Sequence, residues 1–165
     1  EIVKAVELGN LQFELAGKFS SDDLKDEVLN SPAADRINFH GFADRTLVKT
    51  ILGKSKVGLV TLHPTLSYQD ALPVKMFEYM IAGVPVVTSN IPLWEKIVND
   101  ADCGIAVDPF SSQEIVDAVT KIISNDGLAK RYAHNGQEAV IKHYNWANEA
   151  EKLLSFYQNF IEKAI

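Results

Sequence analysis

The segment from Pro73 to Val87 reads PVKMFEYMIAGVPVV and places a helix, a tight stop and a buried strand next to one another. Pro73 suits the first position of a helix, because the N–H that it lacks would have no partner there. Gly83 is typical of a helix end, and the apolar run after it is typical of a strand that is covered on both faces. This step from a helix into a covered strand favours an α/β fold with a parallel sheet.

The same alternation of helices and apolar strands runs along most of the chain. Five segments are predicted to be strands, at 11–16, 36–40, 57–62, 84–88 and 104–107. Because helices separate these strands, we expect a doubly wound, Rossmann-like parallel sheet with helices on both faces and further helices at the C-terminal end. Ligands bind such folds at the carboxyl ends of the strands. The candidate site therefore comprises the loops that follow the strands, at 17–20, 41–43, 63–72 and 89–91.

The composition is that of an ordinary globular domain. With 165 residues, 47% of them hydrophobic and 23% charged, the whole chain 1–165 is predicted to form a single domain. The net charge of −6 and the lack of a basic run argue against nucleic-acid binding. Cys103 is the only cysteine, so no internal disulfide can form. No apolar run approaches about 18 residues and no leader opens the chain, so a cytoplasmic protein is expected.

The first residues read as part of a larger structure. Residues 1–8 have the apolar pattern of a helix, but neither a capping residue nor a strand precedes them. We therefore expect a fragment that lacks an N-terminal domain and the first strand of its own sheet. Residues 145–165 are predicted to form a helix whose broad apolar face packs against the missing half.

Two charged residues interrupt the apolar helix after Pro73. Lys75 and Glu78 are three residues apart and rise from one face, while Phe77, Met80 and Ile81 are expected to turn toward the core. A lysine in the first turn opposes the helix dipole at a cost of roughly 0.3–1 kcal/mol, and a bound anion would remove that conflict. The pattern therefore predicts a phosphate site, with an exposed Lys–Glu ion pair as the alternative.

A resemblance to a known family lies in residues 72–109, which read LPVKMFEYMIAGVPVVTSNIPLWEKIVNDADCGIAVDP. This segment combines Lys75, Glu78, the A-G-x-P-V-V turn into a strand, a helix that carries Glu95, and the closing G-x-x-V-D-P. It closely resembles the nucleotide-binding, C-terminal half of retaining glycosyltransferases of family 4, which have the GT-B fold. The segments LAG, INFHGF and VGLVTLHP, at 15–17, 37–42 and 57–64, are similar to the preceding strands and loops of that family.

The resemblance implies a role for each candidate residue. In that family the glutamate that matches Glu78 holds the ribose hydroxyls of a sugar nucleotide, and the lysine that matches Lys75 meets the diphosphate. Both roles fit the chemistry, because a carboxylate accepts two hydrogen bonds from a diol and a compact ammonium suits phosphate. The other residues that it implies in donor binding are Gly17, Phe42, Ala43, His63, Ala71, Leu72 and Pro73.

These other positions have specific expectations. The backbone N–H groups of Ala71 and Leu72 are expected to face the donor, and Phe42 and Ala43 to border the base. Each of three residues also has a structural alternative. Phe42 could be a core residue, and Gly17 could form a plain turn instead of allowing a ligand to approach closely. His63 could bond to local backbone instead of acting at the donor.

Asp70 departs from the family pattern. Family members usually carry a glutamate eight residues before the one matching Glu78, near the donor sugar, and this chain has an aspartate there. The shorter side chain, and SYQDALP in place of a glycine-rich loop, leave the catalytic role of Asp70 open.

The function that the resemblance implies is the transfer of a sugar from a UDP- or GDP-sugar to a glycan, lipid or polysaccharide precursor of the cell envelope, with retention. The chain has no D-x-D pair, and neither a metal nor a cofactor is expected. The acceptor site, and any peripheral membrane association, would lie in the missing N-terminal domain, so the fragment alone should be inactive.

Three alternatives remain at this point. A nucleotide-sugar 2-epimerase shares the GT-B architecture but carries different histidine and glutamate patterns. A receiver or flavodoxin-like module fits the alternation alone, yet its acidic pair after the first strand and its aspartate at the end of the third are not visible. A catalytically idle scaffold of glycosyltransferase type is the third alternative, because Asp70 replaces the expected glutamate.

Overall fold

The structure is a computed structural model that describes the backbone of residues 1–164 and the side chains of residues 1–161. Its helices are α1 (Ile2–Leu8), α2 (Asp22–Leu29), α3 (Arg45–Lys54), α4 (Leu66–Gln69), α5 (Val74–Ile81), α6 (Pro92–Ala101), α7 (Ser112–Ile123), α8 (Asp126–Lys142) and α9 (Trp146–Ala164). Its strands are β1 (Phe13–Ala16), β2 (Ile37–Gly41), β3 (Gly58–Val60), β4 (Val86–Ser89) and β5 (Gly104–Val107). The predicted α/β class is confirmed, and every predicted strand is present, β5 with the predicted ends and the other four with shorter or shifted ends. The last residue of the predicted 145–165 helix lies outside the described residues.

All strand pairs are parallel, but the strands do not form one sheet. β1 pairs with β2, and β3, β4 and β5 form a second sheet in that order. The expected parallel sheet is divided in the part of the chain described, because no strand there joins β1 to β3. In each sheet the parallel pairing brings the carboxyl ends of the strands to one edge, as the fold predicts.

Helices cover both faces of the three-stranded sheet. One face packs against α5, α6 and part of α8 around Val60, Val86 and Trp94. The opposite face packs against α1, α7 and another part of α8 around Val87 and Ile115. Helix α1 also faces the smaller sheet, because Ala5 belongs to the second cluster and Val6 to a third cluster with residues of β1, α2 and β2. The layers are therefore helix, sheet and helix.

Helix α5 is fixed firmly against β3 and α8. The ring of Tyr79 lies on Gly58, where a Cβ atom would come within 2.2 Å of the ring, so β3 must begin with a glycine. Met76 and Met80, one turn apart, are fully buried and define the inward face. The prediction for Ile81 was wrong, because Ile81 lies about a third of a turn from that face and is 45% exposed.

The ends of α5 explain its position in the chain. Pro73 is the residue before the first helical residue rather than the first one, with ψ of 114°, and this corrects the prediction by one position. Gly83 has a φ of +72°, a left-handed conformation that favours glycine, and it ends the helix as predicted. The Gln137 side chain donates to the carbonyl of Ile81 and caps this end from α8.

Two asparagines form the hydrogen bonds at the junction between α8 and α9. The Asn145 amide donates to Ile141 O at 2.8 Å, and the Asn148 amide donates to Lys142 O at 2.6 Å. Asn145 Oδ1 in turn accepts from Asn148 N at 3.0 Å, which caps the start of α9. Six apolar residues of α9 are 50–65% exposed: Leu153, Leu154, Phe156, Tyr157, Phe160 and Ile161. The broad apolar face predicted for this helix is confirmed, and it lies uncovered.

Candidate functional site

Lys75 is the most unusual charged residue of α5. It lies in the first turn and is partly buried, and that burial lowers the pKa of its amine. Within residues 1–161 no carboxylate lies within ion-pair distance of Lys75. A lysine that is partly desolvated, unpaired and close to the positive end of a helix is unfavourable unless an anion binds.

Glu78 lies on the same face of α5, one turn further on. Its side chain is exposed, and within residues 1–161 it forms neither an ion pair nor a hydrogen bond. The alternative interpretation, in which Lys75 and Glu78 neutralise each other on an ordinary surface helix, is therefore wrong. Both oxygens of the Glu78 carboxylate are left able to accept hydrogen bonds from a ligand.

Backbone donors surround Lys75. The N–H groups of Ala71, Leu72, Val74 and Lys75 make no hydrogen bond to other described residues, and no side chain caps α5. Pro73, between these two pairs, has no N–H. Four free donors and one ammonium group therefore lie within five consecutive residues, an arrangement that can bind phosphate oxygens.

A cavity of about 500 Å³ opens beside this helix start. It lies where the loop after β3 faces the loop after β4, and it is lined by Pro64, Gln69, Asp70, Asn90, Ile91 and Pro92. Its volume falls within the range of small-molecule sites. Asp70 is exposed at this cavity, so the structure places it beside the loop that carries Ala71 and Leu72.

The loop at 61–73 is not a free loop. It contains the short helix α4, which the sequence did not predict, and it is fixed near both of its ends. At one end Ser89 Oγ donates to Leu62 O at 2.6 Å, and at the other the indole N–H of Trp94 donates to Ala71 O at 2.6 Å.

His63 lies on this loop with partners that the sequence did not predict. It bonds to the Glu1 carboxylate at 3.1 Å and stacks on the Phe110 ring at 4.3 Å. The alternative of a bond to local backbone is therefore wrong for His63. Its ring connects the loop to the start of α1 and to the segment after β5.

The remaining predicted residues belong to the smaller sheet. Gly17 donates its N–H to Gly41 O at 2.7 Å, which ties the two strand ends together, and its φ of +140° is a conformation that favours glycine. Phe42 is 76% exposed, and the alternative of a core position is therefore wrong for it. Ala43 is partly buried beside it. An exposed aromatic ring at a strand end is available for stacking on a base.

Sequence reasoning missed three residues at the larger sheet. Gln69 and Asn90 place amide groups at the cavity, and within residues 1–161 neither side chain has a partner. The third residue is Trp94. Asn90 could have been included from the sequence, because it lies in the predicted strand-end loop 89–91. The role of Trp94 could not, because its hydrogen bond reaches a residue 23 positions earlier and leaves no local pattern.

Neither a metal cluster nor a membrane span is found in the described part of the chain. No group of three or more histidine, cysteine, aspartate or glutamate side chains there could hold a metal ion. Within residues 1–164 no helix is long and apolar enough to cross a membrane.

Comparison with known proteins gives a consistent match. The model of the family described as glycosyl transferases group 1 matches residues 1–139. Phosphatidyl-myo-inositol mannosyltransferase of Mycobacterium leprae is 30% identical over 89 residues, which are 54% of this chain and 24% of that protein. Lipopolysaccharide glucosyltransferase WaaG of Escherichia coli K12 is 28% identical over 114 residues, 68% of this chain and 29% of that protein. The chain thus spans less than a third of either relative.

A solved structure shares the fold over nearly the whole chain. Anabaena HepE in complex with UDP aligns with a TM-score of 0.80 and 17% identity, covering 96% of this chain and 44% of that one. At this identity the likeness shows the fold alone, and it confirms the predicted half of a GT-B fold. Because the aligned part includes most of α9, that helix belongs to the shared architecture.

Proposed function

This chain belongs to the glycosyl transferases group 1 family, and from that premise we propose that it is the donor-binding, C-terminal domain of a retaining glycosyltransferase of family 4. The donor is a UDP- or GDP-sugar. The observation that carries this proposal is Lys75, a partly buried ammonium without a carboxylate partner, set among four free N–H groups. An ammonium group and free N–H groups favour a diphosphate over a neutral ligand, because all of them donate hydrogen bonds to anionic oxygens.

Each residue has a distinct task in this proposal. Lys75 and the N–H groups around Pro73 bind the diphosphate, whose negative charge grows as the bond to the anomeric carbon breaks. Their contribution is therefore larger in the transition state than in the ground state, which is the condition for catalysis. Glu78 accepts hydrogen bonds from the two ribose hydroxyls, and Asp70 borders the sugar at the cavity. Phe42 and Ala43 border the base.

The acceptor and the cellular setting follow from the relatives only as proposals. By their names, the two relatives above are a phosphatidyl-myo-inositol mannosyltransferase and a lipopolysaccharide glucosyltransferase, so a glycan or lipid of the cell envelope is the acceptor class proposed here. The acceptor would bind an N-terminal domain in a longer, cytoplasmic polypeptide. No metal or cofactor is required for the donor contacts described.

The uncovered face of α9 supports a second half of the same protein. The sequence of α9 contains Glu149, Glu151, Lys152, Glu162 and Lys163, a net charge of −1 that disfavours an anionic membrane as the partner. HepE has more than twice the length of the region that it shares with this chain. We therefore propose that the apolar face of α9 packs on the N-terminal half of the full-length protein. In that protein Phe160→Ser should loosen the two halves and raise the rate of proteolysis between them, and an unchanged rate would contradict this.

Two of the open strand edges, those of β1 and β3, are consistent with a longer polypeptide. β1 and β3 each pair on one side only among the described strands, and α1 packs beneath both sheets. One more parallel strand from the full-length polypeptide would join the sheets into one. The amide of Leu59 should then exchange hydrogen more slowly in the full-length protein than in this chain, and equal exchange rates would contradict the added strand.

The decisive experiment on donor binding is a titration of UDP-, GDP- and ADP-sugars against the full-length protein. Wild type should bind one nucleotide class clearly best, and Glu78→Ala should weaken that binding because the ribose contacts are lost. Unchanged affinity in Glu78→Ala would remove the ribose assignment. Donor binding without any sugar transfer would favour the idle scaffold, for which Asp70 is the only specific support.

A further inference from the structure

The loop between β3 and α5 is held near each end by a side chain from the next part of the fold. Ser89 is fully buried at the end of β4, and its hydroxyl donates to Leu62 O at 2.6 Å, with Val60 O 3.3 Å away. Trp94 is fully buried in α6, and its indole N–H donates to Ala71 O at 2.6 Å. Between these two points the residues 63–70 are exposed.

The hydrogen bond from Trp94 fixes the direction of one peptide unit. In a trans peptide the carbonyl of one residue and the N–H of the next point in opposite directions within one plane. Since the carbonyl of Ala71 points at Trp94, the N–H of Leu72 points away from Trp94 and from the core around it. That N–H is one of the four free donors around Pro73.

We propose that Trp94 is a positioning residue, and Ser89 its counterpart, which together hold the 63–72 loop so that the N–H group of Leu72 faces the donor diphosphate. This inference rests on the proposed function and assigns the site two residues that touch no ligand. Preorganised donors are worth more than mobile ones, because no free energy is spent on orienting them when the nucleotide binds.

The surroundings of Trp94 favour this role over packing alone. The N–H of a buried indole usually finds a hydrogen-bond acceptor, and any nearby carbonyl can serve. The N–H of Trp94 donates to Ala71, a residue 23 positions earlier in the chain. The Tyr68 ring meets the Trp94 ring edge-on at 6.0 Å, so α4 is held by the same side chain.

The test measures UDP binding by the full-length protein and compares two Trp→Phe variants. Trp94→Phe keeps an apolar ring but removes the N–H, and UDP affinity should fall about two- to tenfold, the equivalent of one hydrogen bond. Trp146→Phe is the matched control, because Trp146 is 79% exposed at the start of α9, and its UDP affinity should stay within twofold of wild type. In steady-state kinetics Trp94→Phe should raise the donor KM or lower kcat while the acceptor KM stays constant.

Two further measurements keep the inference testable if Trp94→Phe does not fold. Ser89→Ala should also weaken UDP binding, because the other end of the loop is released. In the NMR spectrum of the wild type, the Leu72 amide should shift on addition of UDP, and the Trp94 indole N–H should exchange slowly with solvent. A folded Trp94→Phe variant with unchanged UDP affinity, or a Leu72 amide that UDP does not affect, would overturn the inference.

The outcomes also separate this inference from the proposed function. If Glu78→Ala and Lys75→Met weaken UDP binding but Trp94→Phe does not, only the positioning role fails. If none of these variants changes the affinity for UDP, the nucleotide site itself is elsewhere.

Discussion

Replacing Lys75 by methionine should change stability and ligand affinity in opposite directions. Methionine has a similar length and a high helix propensity but no charge. In the free protein it removes a cation from the wrong end of α5, which should raise the free energy of unfolding by about 0.3–1 kcal/mol. For a domain of this size that gain corresponds to a rise in Tm of roughly 1–4 °C. With ligand, the loss of a charge-assisted contact of roughly 1.5–3 kcal/mol should weaken UDP binding about 10- to 150-fold.

The pH dependence of stability gives a second test of whether Lys75→Met stabilises the free protein. Burial lowers the pKa of Lys75, so the protonated amine destabilises the folded state at neutral pH. As the pH rises through the folded-state pKa, the wild-type amine loses its proton and this penalty disappears. The stability advantage of Lys75→Met should therefore be largest near pH 7 and should shrink in alkaline solution.

The assay combines urea denaturation with calorimetric titration of UDP on the same preparations. Lys96→Met is the matched control, because Lys96 is an exposed lysine on α6 that pairs with Asp100 at 2.6 Å. It should leave UDP affinity unchanged. A Lys75→Met variant that is less stable than wild type without ligand, or that binds UDP as tightly as wild type does, would contradict an anion site at Lys75.

Three further predictions concern the fold. Gly104→Ala should lower the free energy of unfolding by about 1–3 kcal/mol, because the added Cβ would lie 1.9 Å from Val86 O. Gly53→Ala in α3 is the control and should not destabilise the protein, because its Cβ would meet no atom within 4 Å. Similar urea midpoints for the two variants would contradict this prediction. Burial raises the pKa of the Cys103 thiol to about 12, so a thiol reagent at pH 8 should label it only after unfolding, and rapid labelling of the native protein would contradict its placement. Hydrogen bonds from Lys54 and His40 lower the pKa of Glu14, so its ionised form stabilises the fold above the unfolded-state pKa and this contribution is lost as the pH falls through the folded-state pKa. Glu14→Gln should accordingly destabilise more at pH 7 than at pH 3, and an equal loss at both would refute the assignment.

Local pattern was sufficient for the elements around the site. The helix after Pro73, its end at Gly83 and the strand that follows were all predicted, because each depends on backbone preferences of one or two residues. Ser21 and Asp44 cap α2 and α3 through the same kind of local preference, and both side chains accept from the backbone N–H three residues later.

Predictions failed where distant residues compete for the same group. Ser111 and Glu114 have the residue types and spacing of a capping box, yet only the Ser111 half forms. The Glu114 carboxylate instead accepts from Asp108 N at 2.8 Å. Which face of α5 turns inward was also misjudged, since α8 and β3 select Met76 over Ile81, and no local pattern reports where they lie.

At the candidate site, too, the sequence predicted what depends on local pattern and missed what depends on contacts between distant residues. Lys75 and Glu78 were identified from their spacing, and the resemblance supplied their roles. The free N–H groups, the cavity beside Asp70 and the anchor of Trp94 depend on how the loop after β3 folds back on α6. Such contacts between residues far apart in the chain appear only once the fold is known.

The most direct test of the donor-site assignment is a crystal structure of the full-length protein with UDP. We expect a phosphate oxygen within about 2.7–3.2 Å of Lys75 Nζ and ribose hydroxyls within the same range of the Glu78 carboxylate. A nucleotide bound elsewhere, with Lys75 and Glu78 both free of it, would contradict the assignment of this site.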